Sequence, residues 1–158
     1  MNPDIEASMH KITPFLWFDG QAEEAMHFYC SVFRNSKVLN IMPGPGGKAM
    51  SVSFELEGQP FHALNGGPNF KFTPAISLFV SCETQAEVDE LWEKLSEGGS
   101  EDQCGWLQDR YGLSWQIIPT ALGRLLGDPD RARAGRAMNA MLQMQKIDIA
   151  GLELAAAG

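Results

Sequence analysis

The 158-residue sequence has few cysteines and histidines, the side chains that most often bind zinc and other transition metals. It contains three cysteines, Cys30, Cys82 and Cys104, and no CxxC pair. An odd number of widely spaced cysteines excludes a disulfide framework and a zinc knuckle. The three histidines are far apart and form neither an HxH nor an HExxH pattern. We therefore interpret each histidine as a structural or surface residue.

Basic residues and long apolar runs are also scarce. The chain carries 12 Lys and Arg against 20 Asp and Glu, for a formal net charge of −8. Nucleic-acid backbones require clusters of basic side chains, so we predict no nucleic-acid partner. No apolar run is long enough to cross a bilayer, which predicts no membrane partner. Residues 1–8 include Asp4 and Glu6 and lack the apolar segment of a signal peptide, which favours a cytoplasmic location.

What is present is the periodicity of an ordinary globular domain, with 44% apolar and 20% charged residues. Residues His10–Phe18 are predicted to form a strand. A helix is predicted over Gln21–Phe33, where apolar residues recur at helical spacing. Alternation over Met50–Leu56 predicts a half-buried strand, and Gln59–Asn65 predicts the next. Lys37–Met42 is predicted to be a short strand between the helix and the glycine-rich segment, so the first half has the order strand, helix, strand, strand, strand.

The same order begins again in the second half. Ala75–Cys82 is predicted to be a strand, and the T-Q-A-E capping box at Thr84 predicts a helix start. Ser114–Pro119 is predicted to be the last strand. After Thr120 the apolar spacing becomes helical, and Asp128-Pro129 is predicted to begin a helix.

Short strings repeat in matching places, which supports a duplication. Gln-Ala-Glu occurs at Gln21 and again at Gln85, and Thr-Pro occurs at Thr13 and Thr73. We predict an α+β fold of two βαβββ modules within a single domain over residues 1–158. The modules are expected at 10–67 and 74–119, and a helical segment at 120–158.

Four strings carry a resemblance to a known family: ITPFLWFDGQAEEAMHFY from Ile12, FHALNGGPNFKFTPAIS from Phe61, QCGWLQDRYGLSWQIIPT from Gln103 and NAMLQMQKIDIA from Asn139. The chain resembles the vicinal-oxygen-chelate superfamily of glyoxalases, ring-cleaving dioxygenases and antibiotic-resistance proteins. Within it, the chain is similar to the PhnB-like family labelled 3-demethylubiquinone-9 3-methyltransferase. The resemblance implies curled mixed sheets that enclose a cavity, and a homodimer.

The resemblance also locates the positions at which metal-using relatives carry their ligands. Matching places these positions at Thr13, Ala63, Ala75 and Gln116, where metal-using members have His or Glu. Alanine cannot coordinate a metal, and Thr and Gln are weak neutral ligands. We therefore predict no metal and no cofactor. His62 lies one residue away from Ala63, and such a shift along a strand points to the opposite face, so a metal on His62 would need a strand bulge.

If these positions face the cavity, residues two positions away face it as well. The predicted lining is aromatic and apolar with a few neutral hydrogen-bonding groups, which suits an uncharged or aromatic small molecule. The residues expected to bind the ligand are Trp17, Asn65, Ser77, Trp106 and Gln116. No general acid or base is evident, so the sequence leaves open whether the protein is an enzyme.

Three functions follow, in order of preference. The first is binding of a small molecule without a metal. The second is a metal-dependent lyase, isomerase or dioxygenase of the same superfamily. The third is the methyltransferase of the family label. Common S-adenosylmethionine enzymes need a glycine-rich turn between a strand and a helix, whereas the glycine-rich segment Pro43–Gly47 precedes an alternating strand and predicts a hairpin loop.

Overall fold

The computed structural model describes residues 10–158. The chain divides into two compact units, the first ending at Lys71 and the second comprising Phe72–Gly158. The boundary falls in the segment that follows the first predicted module. The prediction that residues 1–8 form no signal peptide lies outside the described residues.

The first unit contains one helix and a four-stranded mixed sheet. Its elements are β1 (Phe15–Phe18), α1 (Ala22–Val32), β2 (Ser36–Pro43), β3 (Ala49–Leu56) and β4 (Gln59–Asn65). The sheet order is β1-β4-β3-β2, with β1 parallel to β4 and the other pairs antiparallel. A single 3-10 turn in the glycine-rich segment joins β2 to β3, as the sequence predicts.

Helix α1 covers one face of this sheet. Its buried residues include Met26 and Tyr29, and the Tyr29 ring stacks on Phe54 with centroids 6.3 Å apart. Side chains alternate between the two faces of a strand. The opposite face, which we call the first open face, therefore carries the residues between those of the core: Phe15, Trp17, Ser51, Ser53, His62 and Leu64.

The second unit repeats this topology. Its sheet-forming half contains β5 (Ser77–Cys82), α2 (Gln85–Ser96), β6 (Ser100–Glu101), β7 (Trp106–Gln108) and β8 (Ser114–Pro119). The sheet order β5-β8-β7-β6 matches that of the first unit position for position. The predicted cap is present, since Thr84 Oγ1 accepts a hydrogen bond from the Glu87 N–H at 3.2 Å. The predicted α+β fold of two βαβββ modules with mixed sheets is confirmed.

Helix α2 covers one face of the second sheet, where Leu107, Trp115 and Ile117 are buried. The alternate residues form what we call the second open face: Ser77, Phe79, Ser81, Trp106, Ser114, Gln116 and Ile118. Each unit thus presents one face of its sheet that its own α1 or α2 does not cover.

Three helices follow β8: α3 (Thr120–Leu126), α4 (Arg131–Met141) and α5 (Ile149–Ala157). They pack around an apolar cluster of Ile118, Leu122, Leu125, Ala137, Ile147, Leu152 and Ala156. Helix α4 begins later than predicted, because Asp130 rather than Asp128 accepts the first-turn amide hydrogen bonds. Among the described residues, no helix combines the length and apolar character needed to span a bilayer.

Candidate functional site

His62 lies at the centre of the first open face. It pairs in register with Phe15 on β1 and with Ser53 on β3, and its ring centroid is 5.4 Å from that of Phe15. A cavity of about 430 Å³ opens beside it. The cavity is lined by Thr13, Leu39, Asn40, Ser53, Pro60, Phe61 and His62.

An irregularity in β2 shapes one wall of this cavity. The register between β2 and β3 shifts between Val38 and Asn40, so Leu39 has no partner. Leu39 and Asn40, at this irregularity, both line the cavity. Bulges of this kind re-aim side chains and are common beside functional sites.

Ala63 lies on the face opposite to the one expected. It is fully buried and pairs with Leu16 and Val52 on the side covered by α1. The expectation that Ala63 faces the cavity was wrong, because successive residues of β4 point to opposite faces of the sheet and Ala63 lies on the core side. His62 consequently faces the open side, and the unbroken register of β4 with β1 and β3 shows that no bulge is needed.

Asn65, a predicted ligand-binding residue, instead braces the first unit. Its Oδ1 accepts a hydrogen bond from the Ala22 N–H at 2.9 Å, and its Nδ2 donates to the Ala49 carbonyl at 2.8 Å. The first contact satisfies an amide at the start of α1, a task usually performed by a local N-cap side chain. The local candidate, Gln21, makes no such bond.

Trp17 lies at one end of the first open face, where the chain after β4 holds it. Its Nε1 donates to the Gly67 carbonyl at 2.9 Å, and its ring meets Phe70 edge-on at 4.9 Å. Gly66 lies against the ring, since a Cβ at this position would be 2.3 Å from it. The position of Trp17 therefore depends on a glycine.

Three of the predicted ligand-binding residues come together on the second open face. Gln116 Nε2 donates to Ser77 Oγ at 2.9 Å, and Gln116 pairs in register with Phe79 and Trp106 on its two neighbouring strands. Phe79 is 59% exposed. The result is a polar pair flanked by two aromatic rings.

Ala75 and Ser114 are the other two residues to consider at the second open face. Ala75 is exposed and precedes β5, so it lies outside the strand predicted to carry it. Ser114 pairs in register with Ser77 and is 1% exposed. Within residues 10–158 its hydroxyl has no hydrogen-bond partner. Alternation with Gln116 along β8 predicts that it faces the cavity, although it was not among the residues expected to bind the ligand.

Charge on the first open face is balanced. Glu55, which alternates with Phe54 along β3, lies 3.2 Å from Lys37 Nζ in an ion pair. Cys82, at the end of β5 in the second unit, offers no nucleophile: burial, reinforced by the Glu87 and Glu83 carboxylates, raises its pKa to about 12. A thiol with such a pKa stays protonated and unreactive at neutral pH.

The donor set does not fit a divalent metal. Across the described part of the chain, no group of three or more His, Cys, Asp or Glu side chains is arranged to hold an ion. The positions matched to metal ligands offer neutral oxygens at Thr13 and Gln116, and Ala63 is turned away. His62 supplies one nitrogen, whereas protein metal sites commonly use three or four protein ligands.

Two βαβββ units with the same strand order, each with an open sheet face, define the two-module vicinal-oxygen-chelate fold. The family model described as 3-demethylubiquinone-9 3-methyltransferase matches residues 10–118. The chain belongs to this family, which contains the PhnB-like proteins.

Solved structures resemble the chain over most of their own length. A Bacillus cereus PhnB protein with the same methyltransferase description is 39% identical, with a TM-score of 0.67 over 70% of this chain and 99% of that one. A Pseudomonas aeruginosa protein is 21% identical, with a TM-score of 0.60 over 70% and 97%. A glyoxylase/bleomycin resistance/dioxygenase domain from Frankia sp. EAN1pec is 16% identical, with a TM-score of 0.47 over 70% and 91%. Among curated proteins, none matches the chain.

Proposed function

We propose that this protein binds a small, uncharged or aromatic molecule on its open sheet faces, without a metal ion. The observation that carries the proposal is the cavity of about 430 Å³ beside His62. Its volume lies in the usual range for small-molecule sites, about 300–1,000 Å³. Its polar groups, Thr13, Asn40, Ser53 and His62, include no carboxylate, lysine or arginine.

The surroundings of the cavity favour an aromatic ligand. Phe15, which contacts the His62 ring, is 58% exposed. An exposed aromatic ring offers a large apolar surface and stacks on a second ring at modest additional gain. Asn40 and Ser53 can then orient a hydroxyl or amide on the ligand. Among the described residues that line the cavity, none is Asp, Glu, Lys or Arg, and the nearby Glu55 is paired with Lys37.

Calorimetric titration with 1-naphthol and 1-naphthoate in excess chelator tests this proposal. The two molecules share a ring system and differ in charge. We expect 1-naphthol to bind and 1-naphthoate to bind much more weakly. Asn40→Ala and His62→Ala should weaken binding, whereas His27→Ala, on the exposed side of α1, should not. Equal binding of both molecules, or binding unaffected by both cavity variants, would contradict the proposal.

A metal-dependent lyase, isomerase or dioxygenase is the second candidate, because His62 faces the cavity rather than the core. Metal analysis of purified, undialysed protein tests it. Stoichiometric divalent metal in the wild type that is lost in His62→Ala would favour this enzyme class over a metal-free binding protein. A substoichiometric content that is the same in both proteins would remove the candidate.

The methyltransferase of the family description is the third candidate. The glycine-rich segment of this chain joins two antiparallel strands, β2 and β3, and not a strand to a helix. We expect S-adenosylmethionine to leave the melting temperature unchanged in a thermal-shift assay. A saturable, stabilising shift would restore this candidate.

We also propose a homodimer in the cytoplasm, as the family resemblance implies. Exposed apolar side chains support an interface, since Ile12 is 86% and Ile76 74% exposed. Contact with a second copy would remove such apolar surface from water. Analytical ultracentrifugation tests the dimer, and a single monomeric species at micromolar concentrations would contradict it.

A further inference from the structure

The segment after β8 lies outside the match to the family model, which ends at residue 118. It holds the three helices α3, α4 and α5, which the two βαβββ units do not include.

These helices cover one end of the second open face. Ile118 alternates with Gln116 and Ser114 along β8 and so lies on that face, yet it is 8% exposed. The side chains that bury it belong to the apolar cluster of the C-terminal helices, including Leu122 and Ile147. A ligand on the second open face thus meets an apolar wall at Ile118.

The same segment fixes the loop that carries Trp106. The Cys104 N–H donates to the Met144 carbonyl and the Gly105 N–H to the Gln145 carbonyl, both at 2.8 Å. Gly105 has a φ of +83°, and a Cβ there would lie 2.7 Å from Ile118 Cδ1. A Cβ would also lie 3.1 Å from Ile147 Cγ1, so the positive φ and the nearby Ile147 both favour glycine immediately before Trp106.

Gln85, at the start of α2, anchors the segment from the other side. Its Nε2 donates to the Ile147 carbonyl at 2.9 Å, and its Oε1 accepts from the Ile149 N–H at 2.8 Å. An ion pair between Lys146 and Asp89, 3.0 Å apart, lies beside these bonds. Gln85 thus links α2 to the segment 144–149, and that segment in turn binds the loop before Trp106.

We propose that the C-terminal helices and the segment between them determine ligand specificity, because they close the Ile118 end of the second open face and position Trp106 beside Gln116. The proposal rests on the proposed binding function for its ligand. A site closed at one end accepts a short aromatic molecule and excludes a longer one. Gln85 is a positioning residue, because it acts on Trp106 only through the segment 144–149.

The positioning claim is tested without a ligand. In protein labelled with 5-fluorotryptophan, Trp106→Phe assigns the Trp106 ¹⁹F resonance. Gln85→Ala should shift and broaden this resonance and leave that of Trp17 unchanged. Gln21→Ala is the matched control, because Gln21 begins the equivalent Gln-Ala-Glu string of the first unit; it should leave Trp106 unchanged. A Trp106 resonance that does not move in folded Gln85→Ala protein overturns the claim.

Gln85→Met provides a second variant if Gln85→Ala does not fold. It keeps the length of the side chain and loses both hydrogen bonds to the segment 144–149, and it places no carboxylate beside Asp89, to which Gln85 Nε2 also donates. A shift of the Trp106 resonance is again expected. An unchanged resonance in this folded variant likewise overturns the positioning claim.

The specificity claim is tested with neutral probes of two lengths, 1-naphthol and 1-pyrenemethanol. The wild type should prefer 1-naphthol, and Gln85→Ala should reduce that preference several-fold by admitting the longer probe. An unchanged preference, with a displaced Trp106 resonance, overturns the specificity claim alone. If neither probe binds the wild type, the proposed function fails, while the ¹⁹F result still decides the role of the C-terminal helices.

Discussion

Replacement of Asn65 by alanine should destabilise the first unit without affecting ligand binding. The side chain accepts from the Ala22 N–H at 2.9 Å and donates to the Ala49 carbonyl at 2.8 Å. Ala22 is 0% and Ala49 5% exposed, so water has poor access to either residue once the amide is removed. Both backbone groups would be left without their present partner.

The size of the effect follows from these two contacts. An orphaned buried donor or acceptor costs about 1–3 kcal/mol. Because the Asn65 side chain that makes both bonds is itself only half-buried, we take about 1.5 kcal/mol each, or about 3 kcal/mol in total. For a chain of this length, that corresponds to a fall in Tm of about 6–12 °C. Asn65→Asp keeps the acceptor for Ala22 and loses the donor, so it should cost about half as much.

Urea denaturation followed by circular dichroism, paired with calorimetric titration of 1-naphthol, measures both properties. Asn40→Ala is the matched control, because Asn40 is exposed and lines the cavity. We expect Asn40→Ala to change stability by less than about 0.5 kcal/mol and to weaken binding. The reasoning is refuted if Asn65→Ala unfolds within about 0.5 kcal/mol of the wild type, or weakens binding as much as Asn40→Ala does.

Three further predictions concern stability. Asp109→Ala should lower the free energy of unfolding by about 2–5 kcal/mol in a denaturant titration. The reason is that this buried carboxylate accepts hydrogen bonds from two backbone amides and from Trp115 Nε1 at 2.9 Å. A loss below about 1 kcal/mol would contradict this prediction. Gly66→Ala should displace the Trp17 ring, which a Cβ would approach to 2.3 Å; unchanged tryptophan fluorescence and Tm would show that the ring is not held there. Burial and nearby carboxylates raise the pKa of Cys82 from 9.0 to about 12. The unfolded chain therefore loses this proton first as the pH rises above 9.0, and stability should fall more steeply in the wild type than in Cys82→Ala; parallel pH profiles would contradict this.

Element order and strand bounds were predictable because they depend on local patterns. Alternation in residues 50–56 and the strand Gln59–Asn65 needed no knowledge of distant contacts. The capping box at Thr84 and the repeated Gln-Ala-Glu strings likewise act within a few residues. The two βαβββ modules follow from these signals, since the same local order occurs twice.

The orientation of β4 was also available in the sequence, although the match to relatives obscured it. Phe61 and Ala63 are apolar and flank His62, so simple alternation would place His62 on the polar side. The structure agrees with this alternation, with Ala63 0% exposed and His62 exposed. The error therefore came from giving a family correspondence priority over the period of the strand.

Long-range contacts account for what could not be predicted. Asn65 satisfies an amide 43 residues earlier in the chain, and Asp109 reaches Trp115 across a turn. Gln85 meets Ile147 and Ile149 only because the C-terminal helices return to α2. Such partners depend on tertiary packing, which cannot be predicted from residue spacing or composition.

The most direct test of metal-free binding of a neutral molecule is a ¹H–¹⁵N NMR titration of chelator-treated protein with 1-naphthol. The amides of His62 and Ser53 report on the first open face, and those of Gln116 and Ser77 on the second. We predict saturable shifts at these amides in the presence of chelator, with little change along the outer side of α1. Shifts that appear only after Zn²⁺ or Mn²⁺ is added would contradict the account.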